Sequence, residues 1–598
     1  MVPYVAPTED MRFVLEHVIG MSRLQSLPGF EDWGADTIQA VLDEAGKLAT
    51  NVLSPINAVG DRQHAKITEP GVVKLPEGFK AAYDQYRDGG WNALPFDPDY
   101  GGQGLPWSVA FAVQEMWQGS NMSFGLCPML NQGAVELLQE HGSDAQKQMY
   151  LEKLISGVWT GTMNLTEPQA GSDLATVRTT ATPDPSAGEG AFRIKGQKIY
   201  ITFGEHDLAE NIIHMVLART PDAPEGTKGI SLFIVPKFLV NDDGSLGARN
   251  DVQCVSLESK MGINASPTCT MMYGDESDGA VGYLIGNERE GLKLMFTMMN
   301  NARLAVGLQG VAIAQRAYGQ AVAHAKDRVQ SKHVAKPKEG SVRIIEHADV
   351  RRMLLLMKSQ IEAGRALTYQ AAYCMDVAKR HPDRAEQGKA QAMVDLLTPI
   401  VKTWGTDLGC DVSSLGVQVH GGMGYVEEAG ASQTFRDARI APIYEGTNGI
   451  QANDLVFRKV VRDGGQAMAH LISEIRETAQ ALESASDERL VSIQPRLVEA
   501  CDALDEATKW VLDNAEAPDQ LAASAYPYLN LAATVAGGWM VARSALAALD
   551  DAVPESFRGP KIATARFYAQ HYLPKARGYV PAVTDGWDAT LGLDEEGF

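Results

Sequence analysis

The chain has 598 residues, 45% hydrophobic and 21% charged, an ordinary globular composition over more length than one core serves. Its formal net charge of -22 argues against a nucleic-acid partner, because phosphate binding is built on clustered Lys and Arg. The six cysteines (Cys127, Cys254, Cys269, Cys374, Cys410, Cys501) show no CxxC and no paired spacing, so no metal site and no disulfide framework is expected and a reducing compartment fits.

Residues 1–35 read as a lead segment with helical spacing at Met11, Val14, Leu15 and Val18. Its Glu9, Asp10 and Glu16 do not follow the basic-then-apolar order of a signal peptide. Residues 36–159 read as an N-terminal helical domain, with Ile38, Val41, Leu42 and Ala45 recurring at three and four. The period then changes. Ala191 to Ile201 alternates, with Gly196 as the expected turn, and Ile212–Leu217, Ile230–Val235 and Val252–Leu257 add strand-like runs. Residues 160–285 are therefore a middle β domain. Residues 286–463 return to helices: Leu292 to Gln330, Val350 to Lys379, Lys389 to Gly409, and a last helix holding Asp454 to Val461. Residues 464–598 form an Ala-rich helical extension with expected breaks at Ala517-Pro518, Pro527 and Gly559-Pro560. The longest apolar run, Leu531 to Ala542, is short of a membrane span. A cytoplasmic protein of α+β class is expected.

Four stretches offer chemistry. Leu165-Thr166-Glu167-Pro168-Gln169-Ala170-Gly171-Ser172-Asp173 supplies turn N–H groups and two hydroxyls, suited to the polar edge of a heterocycle. In Lys198-Ile199-Tyr200-Ile201-Thr202 an aromatic and a hydroxyl stand two apart, which on a strand puts them on one face. Asn300-Asn301-Ala302-Arg303 and Arg328-Val329-Gln330 place Arg where phosphate can be held bidentately. Gln418-Val419-His420-Gly421-Gly422-Met423-Gly424 lets backbone approach a ligand, but it does not open a helix after a strand, so it is no dinucleotide fingerprint. Beyond them stands Ala441-Pro442-Ile443-Tyr444-Glu445-Gly446-Thr447-Asn448-Gly449-Ile450-Gln451, with one carboxylate after an apolar approach and before a turn. Taken alone Glu445 reads as a loop or helix-start charge. Half desolvated, it could act as a general base.

Together the TEPxAGSD, GxKxYIT, QxxGGxG and YEGTxxIQ patterns, in this order and spacing, resemble the acyl-CoA dehydrogenase family over about residues 36–460. The lead segment and helical extension resemble its longer bacterial branch. The resemblance implies FAD, an acyl-CoA substrate and α,β-dehydrogenation, with Glu445 taking the α-proton while a hydride leaves the β-carbon for flavin N5. It also implies a thioester carbonyl held by the backbone N–H at the base and by a flavin ribityl hydroxyl. By the same match Leu165, Thr166, Ser172, Tyr200 and Thr202 line the flavin. Arg328, Gln330, Gln418, Gly421 and Gly422 reach the FAD of a neighbouring subunit, and Thr447 and Asn448 contact the cofactor after the base. Ser172, Asn300, Arg303, Tyr444 and Gly446 fall to the substrate. The sequence departs from the family at Asn300, often Asp; at Ser331, often aromatic; at Gly449, often Gln; and in an insertion around Lys332 to Gly340.

An electron-transfer flavoprotein is the implied electron acceptor and a homodimer the implied assembly, with no metal, no nucleic acid and no membrane span. A short acyl group is expected, with 3-(methylthio)propanoyl-CoA foremost and a straight short or medium chain as the alternative. An acyl-CoA oxidase is the competing enzyme. A DNA-associated relative of the fold would need a basic stripe, and the extension instead carries Glu474, Glu477, Glu483, Asp487, Glu488 and Asp550-Asp551.

Overall fold

Runs rich in β-branched and aromatic residues build one large sheet in the first of two compact units, which comprises residues 47–105 and 120–302. The computed structural model describes residues 2–188 and 190–598. Helix α1 (Met122–His141) is capped by the Asn121 side chain, which accepts from Phe124 N–H at 3.1 Å. Strands β1 (Trp159–Asn164), β2 (Thr180–Pro183), β3 (Ala191–Thr202), β4 (Asn211–Arg219), β5 (Ile230–Pro236), β6 (Val252–Leu257), β7 (Thr268–Tyr273) and β8 (Ala280–Leu284) follow. The path across the sheet is β6-β7-β3-β8-β5-β4-β1, with β2 beside β3 and β4. Phe192, Ile194, Val216, Phe233, Val235 and Met271 pack its core. The unit ends in the first part of helix α2 (Gly291–Asp327).

Gly196 is not the expected turn. It lies inside β3 at φ +155°, where a Cβ would sit 2.5 Å from Thr179 Oγ1. The strand runs straight through it and changes partners there. Ala191–Ile194 pair with β8, and residues from Gly196 on pair with β7. Glycine at that point permits a sheet to bend without ending a strand.

The second unit comprises residues 1–46, 106–119 and 303–598. Met11, Val14, Leu15 and Val18 of the lead segment are all buried, as their spacing predicts. After α2 come α3 (Ala348–Arg380), α4 (Arg384–His420) and α5 (Asn448–Asn453). Gln330 is not helical. α2 stops at Asp327, and Val329–Lys332 pairs with Ser341–Arg343 in a hairpin that contains the Lys332–Gly340 insertion. Helices α2 and α4 touch backbone to backbone, since a Cβ on Gly310 would lie 1.8 Å from Gly405 O. That contact fixes α4, which carries Lys402. The extension holds α6 (Pro518–Ala547), α7 (Glu555–His571) and α8 (Lys575–Thr584). Pro527 and Pro560 do not break it. Each sits inside a helix, and only Ala517-Pro518 marks a start, with Pro at the first position. Among the described residues no helix is long and apolar enough to cross a membrane, and no His/Cys/Asp/Glu cluster could hold a metal.

Candidate active site

The loop between the short helix Ala431–Ala438 and α5 carries Glu445. Asn448 N–H closes it onto Pro442 O at 3.1 Å, and Thr447 caps α5 by accepting from Ile450 N–H at 3.3 Å. Glu445 itself is held at φ +56°, a strained conformation for a side-chain-bearing residue. Gly446 follows at φ +86°, with a would-be Cβ 2.7 Å from Gln451 Nε2. Burial raises the proton affinity of the Glu445 carboxyl, while the Arg303 and Lys402 charges pull it down, and burial wins. Among the described residues no hydrogen bond enters that balance, which leaves the carboxylate oxygens open to another molecule.

The surroundings explain the tuning. Arg303 is buried, and its charge acts on Glu445 and Asp454. It is engaged with these carboxylates rather than standing solvated on its helix. Lys402 lies in α4 and is fully buried, donating to Ala441 O at 3.1 Å and to Asn448 Oδ1 at 2.9 Å. Burial lowers its pKa to about 7 against the pull of Glu445 and Asp407. Tyr444 donates its hydroxyl to Gln309 Oε1 at 2.5 Å. Gln309 in turn donates to Gln118 Oε1 at 3.0 Å. Gln451, 0% exposed, has no hydrogen-bond partner among the described residues for either side-chain polar atom. An unmet buried amide is costly and is characteristic of a place where a ligand or water completes the site.

Asn448 does not present its amide to a ligand. It is buried, its Nδ2 donates to Asp407 Oδ1 at 2.8 Å and Thr406 Oγ1 at 3.1 Å, and its Oδ1 is taken by Lys402. The family resemblance gives it to the cofactor, by its place after Glu445 in the motif. The structure uses it up internally.

Gln418 lies exposed in the last turn of α4, with Gly421 and Gly422 exposed just past its end, and Arg328 and Gln330 lie exposed past the end of α2. The two ends are held together by stacking of His324 on His420, with ring centroids 4.5 Å apart. Arg328 donates to Gln330 Oε1 at 3.1 Å. A Cβ at Gly421 or Gly422 would meet nothing within 4 Å, so this backbone is open to an approaching molecule.

In the sheet-bearing unit the Thr166–Ser172 loop is anchored by a pair that the sequence reading passed over. Lys198 in β3 donates to Glu167 Oε1 at 2.8 Å and to Leu165 O at 3.1 Å, and both side chains are buried. Glu167 also accepts from Thr179 N–H at 3.0 Å and Arg178 N–H at 2.7 Å. Burial would raise its carboxyl, but Lys198 and these bonds hold it at about 2. Ile199 N–H donates to Thr166 O at 2.9 Å, docking the loop along the strand. Leu165 is buried, Thr166 and Thr202 are half-buried, and Ser172 is exposed.

Tyr200 and Thr202 are not related by plain alternation. Tyr200 has φ +58°, and the register with β7 slips between Lys198 and Ile201, so a bulge sets its direction. It is 60% exposed. Asn300 is exposed on α2. The signal for Lys402 was present in the sequence as a charge inside the largely apolar run Pro399 to Trp404, which demands a partner once buried.

The donor sets fit FAD. Uncharged hydroxyls and backbone amides at Thr166, Ser172 and Thr202 suit a neutral heterocycle edge, and exposed Arg328 suits a pyrophosphate. Four family profiles match in chain order. They are the acyl-CoA dehydrogenase N-terminal domain at residues 35–158, middle domain at 162–275 and C-terminal domain at 289–459, then the acetyl-CoA dehydrogenase C-terminal-like domain at 471–594. The 3-methylmercaptopropionyl-CoA dehydrogenase of Ruegeria pomeroyi is 47% identical over 98% of this chain and 99% of its own. A butyryl-CoA dehydrogenase of Syntrophomonas wolfei is 36% identical over 100% and 99%. Among solved structures, an acyl-CoA dehydrogenase from Bacillus anthracis complexed with FAD shares the fold at TM-score 0.74, with 19% identity over 97% of this chain and 94% of that one. The chain belongs to the acyl-CoA dehydrogenase family and is an FAD-dependent oxidoreductase that dehydrogenates an acyl-CoA.

Proposed function

We propose that Glu445 is the base that removes the α-proton of a short acyl-CoA, with 3-(methylthio)propanoyl-CoA as the preferred substrate. The observation behind the base is the carboxylate itself: half-buried, with raised proton affinity and, among the described residues, no hydrogen bond to it. A thioester α-proton is far less acidic than a carboxylic acid, so a carboxylate of raised proton affinity is better matched to it. The strained backbone at Glu445 and Gly446 shapes this loop, and the backbone N–H at Glu445 is the donor we assign to the thioester oxygen. FAD, when bound, accepts the hydride from the β-carbon. Leu165, Thr166, Ser172, Tyr200 and Thr202 would hold its ring portion, and Arg328, Gln330, Gln418, Gly421 and Gly422 the nucleotide portion in a second copy. Thr447 stands at the start of α5 beside the base, and Ser172 and Asn300 remain assigned to the substrate.

The substrate assignment rests on the similarity to the Ruegeria protein along the whole chain. Electron-transfer flavoprotein is the acceptor and a cytoplasmic homodimer the form that this reading assigns. A kcat/KM panel over C4 to C16 acyl-CoAs and 3-(methylthio)propanoyl-CoA tests it. The expected optimum is the methylthio substrate or a C4 chain, and an optimum at C12–C16 overturns it. In the same assay Glu445→Gln is expected to lower kcat by about a thousandfold, within the range for loss of a general base.

A further inference from the structure

One lysine grips both feet of the loop that carries the base. Nζ of Lys402 donates to Ala441 O and to Asn448 Oδ1, and Glu445 lies on the loop between those two residues. The same nitrogen is close enough to Glu445 for their charges to interact. Lys402 does not stand alone. Asn448 links it to Asp407 at 2.8 Å, and Asp407 accepts from the hydroxyl of Tyr526 at 2.5 Å. Tyr526 belongs to α6 of the helical extension, so an unbroken line of hydrogen bonds runs from the extension to the lysine behind the base. Its outer end opens into a polar cavity of about 480 Å³ lined by Asp407, Asp411, Arg439, Tyr526, Lys575 and Tyr579.

We propose that Lys402 is a positioning residue for Glu445, fixing the loop and drawing the carboxyl toward its ionised form, and that Tyr526 of the extension sustains Lys402 through Asp407 and Asn448. The inference rests on the reading of Glu445 as the base. Its electrostatics are set by few groups. Glu445 faces Arg303 and Lys402; Lys402 faces Glu445, Asp407 and Arg303; and Asp407 faces Tyr526, Asn448, Asp411 and Lys402. Removing the Lys402 cation takes away one of the two charges that oppose burial at Glu445, so the carboxyl holds its proton to higher pH. Removing the Tyr526 hydroxyl deprives the Asp407 carboxylate of a donor. Asp407 then protonates more readily, Lys402 loses part of its counter-charge, and Glu445 moves the same way by a smaller amount.

The test is the pH profile of kcat/KM for the full-length, FAD-loaded enzyme as wild type, Lys402→Met and Tyr526→Phe. The expected result is an acid limb displaced to higher pH, more in Lys402→Met than in Tyr526→Phe. Lys402→Met should lose at least about threefold in kcat/KM at pH 6, a loss that shrinks as pH rises. A lysine with only a structural role would give a loss independent of pH, and that result, or an undisplaced limb in both variants, overturns the proposal. Tyr526 is 39% exposed, so its Phe variant carries the test even where Lys402→Met does not fold. Glu445→Gln run alongside separates the two readings. If it still dehydrogenates at the wild-type rate, the base assignment fails. If it is inactive while Lys402→Met keeps the wild-type limb, only the present proposal fails.

Discussion

Glu445 carries a thermodynamic cost along with its chemistry. Its carboxyl is raised by burial beyond what Arg303 and Lys402 recover. A carboxyl with folded proton affinity above its unfolded value contributes stability below the unfolded pKa of about 4.3, and that contribution is lost as pH rises through the folded value. At pH 8 the ionised base therefore destabilises the fold, and Gln in its place does not. Thermal unfolding of Glu445→Gln is expected to show a higher midpoint than wild type at pH 8, with the gap closing toward pH 5. A lower midpoint for the variant at pH 8 would contradict the burial argument. At this scale the sequence motif singled out Glu445 and the glycine after it. It could not show that Asn448 is spent inside the fold, because that depends on Asp407 and Lys402, some forty residues away in sequence.

At the scale of elements, the Thr166–Ser172 loop and strand β3 are one device joined by Glu167 and Lys198. Breaking a buried pair by removing one partner leaves the other charge uncompensated, at about 3 kcal/mol or more. Lys198→Met should therefore lower the urea midpoint at pH 7. Glu167→Gln/Lys198→Met should be less damaging than the sum of its singles, since the two residues share one interaction. Glu167 is held at about 2, so its contribution is present above about pH 4.3 and lost as pH falls toward 2. The penalty of Lys198→Met should accordingly shrink at pH 3. Additive singles would show that the pair is not coupled. The sequence made the helix and strand periods legible here, but punctuation misled. Gly196 reads as a turn, and so does a proline at 527 or 560, yet Gly196 bends a strand that continues and both prolines sit within helices. Local residue chemistry proposes a break, and tertiary pairing decides whether the chain takes it. Tyr200 is the same case, since a bulge cannot be read from alternation.

At the scale of the molecule, the lead segment and the extension are tied to the bundle by buried charge. Arg365 in α3 contacts Glu115 at 2.6 Å and also Asp10. Lys561 in α7 contacts Asp10 and, at 3.0 Å, Glu362, which also meets Lys358. Three carboxylates face three cations across four separate stretches of chain. Trp404 in α4 donates to Tyr572 of the extension at 3.3 Å, and Gly537 packs close enough that a Cβ would touch the Trp404 ring at 2.5 Å. Asp10→Ala is thus expected to shorten the half-life of activity at elevated temperature several-fold, as loss of a partner in a buried network does. An unchanged half-life would show the latch to be inert. Nothing in the spacing of Asp10 and Lys561, 551 residues apart, announces this contact. Only the need of each buried charge for a partner hints that one exists.

The central claim is that Glu445 removes the α-proton, and anaerobic mixing of the FAD-loaded enzyme with a saturating acyl-CoA tests it most directly. In wild type the oxidised-flavin absorbance should bleach within the turnover time. In Glu445→Gln, with acyl-CoA binding retained, it should persist about a thousandfold longer. Bleaching of the variant at the wild-type rate would contradict the account.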